Sequence, residues 1–286
     1  MRLINIILKL SKMNLHEVAK DIRDIVAKRQ EELNLTFIEE DHIYHMNGRS
    51  DYPSVSKIIK RYYKEFPGEE IANRKAKGDV FKAQEYLNEW AESANYAANL
   101  GSSVHFFLEQ RLIHMYGNYK EIRQPIFECD LMQEIMSDTM VSSGFQYLNL
   151  MHDRGAVLID TEMVLGDPEL GYVGQPDKVW LIPNKEKTDY GIVITDWKTN
   201  KEKSFQVSNF TENMFKPFDK YPSTALGHYY IQLPLYGRLL LKMLSQSKYE
   251  GINFYGSVIC HLKPDGGYAE YKVPKEVNDI VFNLKI

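Results

Sequence analysis

The stretch Gly171–Lys203, GYVGQPDKVWLIPNKEKTDYGIVITDWKTNKEK, decides how the rest of the chain is read. Lys178–Ile182 (KVWLI) and Ile192–Thr195 (IVIT) are dense in β-branched and aromatic residues, and the polar run Pro183–Tyr190 between them reads as a connection. The segment predicts two antiparallel strands. With that loop Ile182 faces Gly191, and counting outward brings Asp177 opposite Asp196. Side chains two apart on a strand share a face, so Lys198 projects beside Asp196 while Trp197 points the other way. A slip of one residue would turn Asp177 to the opposite face.

Directly opposed strand residues have Cβ atoms roughly 4.5–5.5 Å apart, where like charges repel. Two carboxylates so placed call for a cation between them or a shared proton. A hard divalent ion answers this need, and Mg²⁺ characteristically takes one or two carboxylates together with substrate phosphates. Lys198 adds a mobile point charge beside it. Metal-activated water, an electrophilic clamp and a cation at the nucleophile are the parts needed to hydrolyse a phosphodiester. Aspartate and lysine also populate solvated strand faces, and a bare D…DxK match recurs by chance, so the remaining segments carry weight.

The 286 residues suit one large domain with extensions, or two small ones. A hydrophobic fraction of 44% suffices for a substantial core, and 12% aromatic content argues against disorder. The net charge of −4 excludes a global basic field, so contact with nucleic acid must come from local Lys and Arg clusters. Two cysteines, Cys129 and Cys260, are too few for a disulfide framework or a four-thiolate cluster and fit a reducing cytoplasm. The apolar start MRLINIILKL is too short to span a bilayer, no transmembrane segment is expected, and Met13 is a candidate true start.

Along the chain, Leu15, Val18, Ile22 and Ile25 recur at helical spacing behind an Asn14 cap, predicting a packing helix over 14–33. Residues 36–49 read as a hairpin turned at Asn47-Gly48, with His42 and His45 as candidate ligands or solvated side chains. Ser54 caps a second helix, SVSKIIKRYYKEF, whose Lys57, Lys60, Arg61 and Lys64 form a basic stripe interleaved with aromatics, either a solvated face or a grip on single-stranded nucleic acid. A helix over 78–100 precedes Gly101-Ser102, and a core helix follows with Val104, Phe107, Leu108, Leu112 and Met115 inward. His105 and Glu109, four apart, share one edge of it. Residues 124–150 read as helix and 156–164 as a strand carrying Glu162, which completes a three-stranded meander with the hairpin. The region from Thr199 to Tyr221 reads as a long functional loop, with its phenylalanines as anchors. A helix starting near Gln232 keeps Pro234 in its first turn and sets Gln232 and Tyr236 on one face. A closing hairpin turns at Pro264–Gly267, and a short helix follows Pro274.

The ordered set GSSVHFFLE, GQPDKV, DWKT and QLPLY resembles the RecB-like branch of the PD-(D/E)xK nucleases. YHMNGRSDYPSVSKII looks like the opening region of its phage-encoded and mitochondrial-genome-maintenance-type exonucleases, and the resemblance covers about residues 36–275. It implies an α/β, restriction-endonuclease-like fold: a central mixed, largely antiparallel sheet flanked by helices, over 36–286, with an N-terminal helical extension over 1–35. It implies His105, Asp177 and Asp196 as ligands of Mg²⁺ (or Mn²⁺ in its place), and Asp177, Asp196 and Lys198 as the catalytic set. Gln232, Tyr236, Thr199 and Lys57 would contact substrate, with Glu109 and Glu162 standing behind the metal ligands. The iron–sulfur members carry four cysteines, so no cluster is expected here. The activity implied is a DNA exonuclease working on ends in replication, recombination or repair, in a host cytoplasm if phage-encoded. Without a GxxxxGK[ST] loop, it would act alone or beside a separate helicase, single-strand-binding or annealing protein. A structure-specific endonuclease and a non-catalytic nucleic-acid-binding accessory remain the alternatives.

Overall fold

The two strands of the quoted stretch pair antiparallel in the expected register: Ile182 faces Gly191 and the ladder runs to Lys178 opposite Thr195. The computed structural model describes residues 14–116 and 127–286. The expectations placed on MRLINIILKL and Met13, and on the first residues of the 124–150 stretch, lie outside the described residues.

In chain order the described elements are α1 (Leu15–Glu32), β1 (Thr36–Ile38), β2 (Ile43–His45), α2 (Val55–Ile59), α3 (Gly68–Lys75), α4 (Val80–Tyr116) and α5 (Leu131–Asp153). There follow β3 (Val157–Thr161), β4 (Leu165–Asp167), β5 (Tyr172–Gly174), β6 (Lys178–Pro183) and β7 (Tyr190–Lys198). The chain ends with α6 (Ala225–Met243), β8 (Asn253–Leu262), β9 (Tyr268–Lys272) and α7 (Lys275–Phe282). The central sheet has the order β3-β6-β7-β8-β9 and is antiparallel except between β7 and β8. That parallel pair needs a long crossover, and the connection containing α6 supplies it. The fold is thus a mixed, mostly antiparallel α/β sheet flanked by helices. β3 does lie beside β6, as the meander requires, with the small β4–β5 hairpin inserted between them in sequence.

Strand alternation sorts the interior into two cores. Val179, Leu181, Ile192 and Ile194 point to one face, where α1 contributes Val18, Ile22 and Val26 and α6 contributes Leu235, Leu239 and Leu240. Trp180, Val193 and Trp197 point to the other, against Val104, Leu108 and Leu112 of α4 and Met140 and Tyr147 of α5. Each fully buried aliphatic side chain contributes roughly 1.5–3 kcal/mol, so both faces bind their helices firmly. The N-terminal helix is capped by Asn14 and packs into the first of these cores. No helix among the described residues is long and apolar enough to cross a membrane.

Several local expectations change. Helix α4 runs unbroken through Gly101, where Thr199 packs so closely that its Oγ1 would lie 3.2 Å from a Cβ. Phe107 and Met115 are exposed, and Ile113 takes the inward place beside Leu112. The main N-terminal hairpin turns at residues 39–42, while Asn47-Gly48 makes a second, tight reversal between Met46 and Arg49. Helix α2 stops at Ile59 and continues as one 3₁₀ turn, Lys60–Tyr62. Helix α6 begins at Ala225, capped by the Thr224 hydroxyl, so Pro234 lies inside it. The lost amide bond is tolerated there because Leu233, Pro234 and Leu235 are all buried against the sheet.

Candidate active site

Asp177 stands just before β6, where the chain leaves the β6–β7 ladder. Its carbonyl turns toward β3 instead, accepting from the Thr161 hydroxyl at 2.8 Å and from the Glu162 N–H at 3.0 Å. Its carboxylate crosses to β7 and accepts the Trp197 N–H at 2.7 Å. Asp177 and Asp196 lie close enough for each to shift the other's ionisation, so the two acids do converge. The Lys198 ammonium pairs with Asp196 and lies 4.5 Å from the centre of the Tyr229 ring.

His105 reaches the same point from α4. Its Nε2 lies 3.1 Å from the Trp197 carbonyl oxygen and its Nδ1 3.4 Å from Asp177 Oδ2. A carbonyl only accepts, so Nε2 carries the hydrogen, and in the neutral ring Nδ1 turns a lone pair toward a carboxylate oxygen. Two acceptors face each other there, an arrangement that a cation between them would satisfy. Glu162 joins them: one donor atom each from His105, Glu162 and Asp177 lies within 4.8 Å of the other two. Glu162 follows a bulge in β3 near Ile159 and has φ +48°, the left-handed region that non-glycine residues rarely adopt. Bulges and strained residues of this kind recur beside functional sites, where they re-aim side chains.

Sequence reasoning placed His105, Asp177 and Asp196 together as ligands and Glu162 behind them. The geometry brings Glu162 forward, while Asp196 is engaged by Lys198, two residues along the same strand face. A cavity of about 390 Å³ opens on this cluster, walled by His105, Glu109, Glu162 and Gln175 and by His42 and Glu39 from the β1–β2 turn. Glu109 is buried in that wall, one helical turn beyond His105. Gln232 donates to the Tyr236 hydroxyl at 2.9 Å, and Tyr236 is buried behind the acids on α6. Thr199 sits half-buried against Gly101. Lys57 is exposed on α2, outside the cavity wall.

Burial sets the ionisation of the cluster. It pushes His105 down to about 3, with the Lys198 charge acting the same way, so the imidazole is neutral. Burial and the neighbouring Asp177 charge push Asp196 up to about 7, although Lys198 opposes them. Burial also opposes ionisation of Asp177, but Lys178, Asp196 and Lys198 together hold it below the usual range. Burial opposes the charge on Lys198 as well, and Asp196 and Asp177 outweigh it, raising the ammonium above its ordinary value. Near neutral pH the pair of acids therefore holds a shared, displaceable proton.

Two participants went unread in the sequence. Gln175, whose amide donates to the Glu162 carbonyl at 3.1 Å, fixes the strained turn. Its place four residues after Gly171 was the available signal. Lys178 is fully buried, and nothing in KVWLI distinguishes it from a solvated strand lysine. No family model matches the chain, and no curated protein matches its sequence.

Proposed function

We propose that the chain is a divalent-metal-dependent deoxyribonuclease of the PD-(D/E)xK type, trimming DNA from its ends. The observation that carries this reading is the facing of the His105 lone pair and the Asp177 carboxylate, with Glu162 beside them and the Asp196–Lys198 pair alongside. An imidazole with two carboxylates is a donor set suited to Mg²⁺ or Mn²⁺. When bound there, the ion supplies Lewis acidity and makes a water acidic enough to attack a phosphodiester. His105, Glu162 and Asp177 would hold it, and Asp196 would enter as its proton leaves.

The remaining work belongs to the chain's own groups. Lys198, held between Asp196 and the Tyr229 face, presents a fixed positive charge where a phosphorane-like transition state gathers negative charge. The Asp177–Trp197 hydrogen bond and the His105–Trp197 contact tie both ligands to one backbone segment, so their separation is set before substrate arrives. Gln232 holds the Tyr236 hydroxyl in place behind the acids. The adjoining cavity is walled in part by Glu39, Glu109 and Glu162, and the ion and Lys198 would offset the charge of an entering phosphate.

Incubation of end-labelled single- and double-stranded DNA with Mg²⁺, and in parallel with chelator, tests the proposal. Stepwise loss of label with Mg²⁺ alone is expected, with closed circles left intact. No cleavage of any substrate with Mg²⁺ or Mn²⁺ would overturn the nuclease reading, and cutting of closed circles would replace an end-trimming enzyme with an endonuclease.

A further inference from the structure

A second cavity, of about 620 Å³, opens beside α4, nearer the N-terminus of that helix than the first. Its volume falls in the range of roughly 300–1,000 Å³ in which proteins hold small molecules. Leu100, Met136 and Met140 supply apolar surface, together with Tyr96, whose hydroxyl donates to Met136 Sδ at 3.8 Å and so bridges α4 to α5. The ionic groups around it are Lys201, Glu202, Lys263 and Asp265, two of each sign, with Lys263 and Glu202 3.9 Å apart. A balanced rim over an apolar and aromatic interior suits a flat, uncharged ring with polar edges better than a bare phosphate.

The end of β7 joins this cavity to the candidate active site. Lys198 pairs with Asp196 there, and the next two residues, Thr199 and Asn200, line the second cavity. Two residues of chain span at most about 7 Å, so a phosphate at Lys198 lies within one nucleotide of it. Gly101 of the first cavity wall packs against Thr199 of the second. Asn200 is braced from two sides. Its backbone carbonyl accepts the Nε2 hydrogen of the buried His261 at 2.7 Å, and its side-chain oxygen accepts the Tyr229 hydroxyl at 2.8 Å. With that oxygen tied to Tyr229, the amide nitrogen of Asn200 is a donor of fixed direction at the cavity wall. The Tyr229 ring also lies under the Lys198 ammonium. One tyrosine therefore positions both the cation at the candidate active site and the donor at the second cavity.

From this we infer that the second cavity is a nucleobase subsite. It takes the base of the nucleotide next to the scissile phosphate, stacked on Tyr96 and packed against Met136 and Met140, with the Asn200 amide donating to an acceptor on the base edge. Every base has a π-face, so the subsite grips a strand without selecting its sequence. Binding energy gained there holds the neighbouring phosphate against Lys198. The inference rests on the DNA-cleaving reading above and deepens it.

The test uses the full chain with chelator, so that nothing is cut, and single-stranded oligonucleotides carrying 2-aminopurine at one of the first three positions from either end. The wild-type protein is expected to change the emission at one position only. Ala97→Trp, which sets an indole on the exposed α4 face that lines the cavity, is expected to abolish that change. With Mg²⁺, an abasic residue at the same position is expected to lower wild-type kcat/KM about tenfold or more. Ala97→Trp is expected to lower kcat/KM on unmodified DNA by a similar factor, and the abasic residue then to cost nothing further. That non-additivity separates an occupied subsite from a general distortion. Circular dichroism and a cooperative melt establish that the variant folds, and the wild-type measurements need no variant. Cleavage without any position-specific emission change, or with no abasic cost at any position, would overturn the inference and leave the nuclease reading standing. An abasic cost as large in folded Ala97→Trp as in the wild type would do the same. Binding of free 2-aminopurine deoxyriboside monophosphate, with no positional signal in the oligonucleotides, would make the cavity a site for released product and overturn the strand subsite. No cleavage of any DNA would overturn both readings.

Discussion

Replacing Asp196 by asparagine removes one titration from the candidate site, and the consequence can be worked out in the metal-free protein. In the folded chain burial and the Asp177 charge push Asp196 from 3.8 up to about 7. Between these values the folded state holds a proton that the unfolded state has released, so this group's stabilisation is complete below about pH 4 and is lost as pH rises through about 7. Every pH step of one across that window is worth about 1.36 kcal/mol, so the group accounts for roughly 4 kcal/mol in all. Buried histidines act with the opposite sign: His105 and His228, held down from 6.5 to about 3 and about 4 by burial, add stability as pH rises to about 6.5, over most of the same range. Those contributions are common to both proteins and cancel in the difference. Urea unfolding in the presence of chelator, at half-unit steps from pH 4 to pH 8, should show the variant gaining on the wild-type protein by a few kcal/mol as pH rises. The loss of a charged partner for Lys198 shifts the whole difference curve but leaves its slope. A flat difference, or one falling with pH, would refute the assignment of a buried, proton-holding Asp196.

Lys198→Ala should lower cleavage on the order of a thousandfold while DNA binding, measured by anisotropy with chelator present, stays within a few-fold of wild type. Glu162→Gln should weaken Mn²⁺ binding about tenfold or more, whereas a glutamate outside the ion's reach would leave the titration unchanged. Metal affinity should rise with pH up to about 7 as the ion displaces the Asp196 proton, and calorimetry in buffers of different ionisation enthalpy should record that proton's release. At Gly174 a Cβ would fall 2.6 Å from Tyr236 Cε1 and 2.7 Å from Val55 Cγ2. Gly174→Ala should therefore cost about 1–3 kcal/mol in urea unfolding and displace the Tyr236 ring.

Alternation and turn chemistry made much of this protein legible from its residues alone. KVWLI and IVIT read as strands facing one another, and the length of the polar loop set the expected register that the ladder follows, with Lys198 beside Asp196. Helical spacing likewise marked Val104, Leu108 and Leu112 as an inward stripe, which brought His105 to the edge nearest the sheet. These are local properties: a period of two or of 3.6 determines which side chains share a face. What only the tertiary structure decided depends on contacts distant in sequence. The choice of Glu162 over Asp196 as the third member of the cluster follows from the bulge in β3 and from the ammonium that claims Asp196 first. The inward fate of Lys178 follows from Trp197 and the α4–α5 layer closing over that face of the sheet. Burial, and with it the charge state of every group in the site, is a property of what packs on top, and no stretch of sequence carries it.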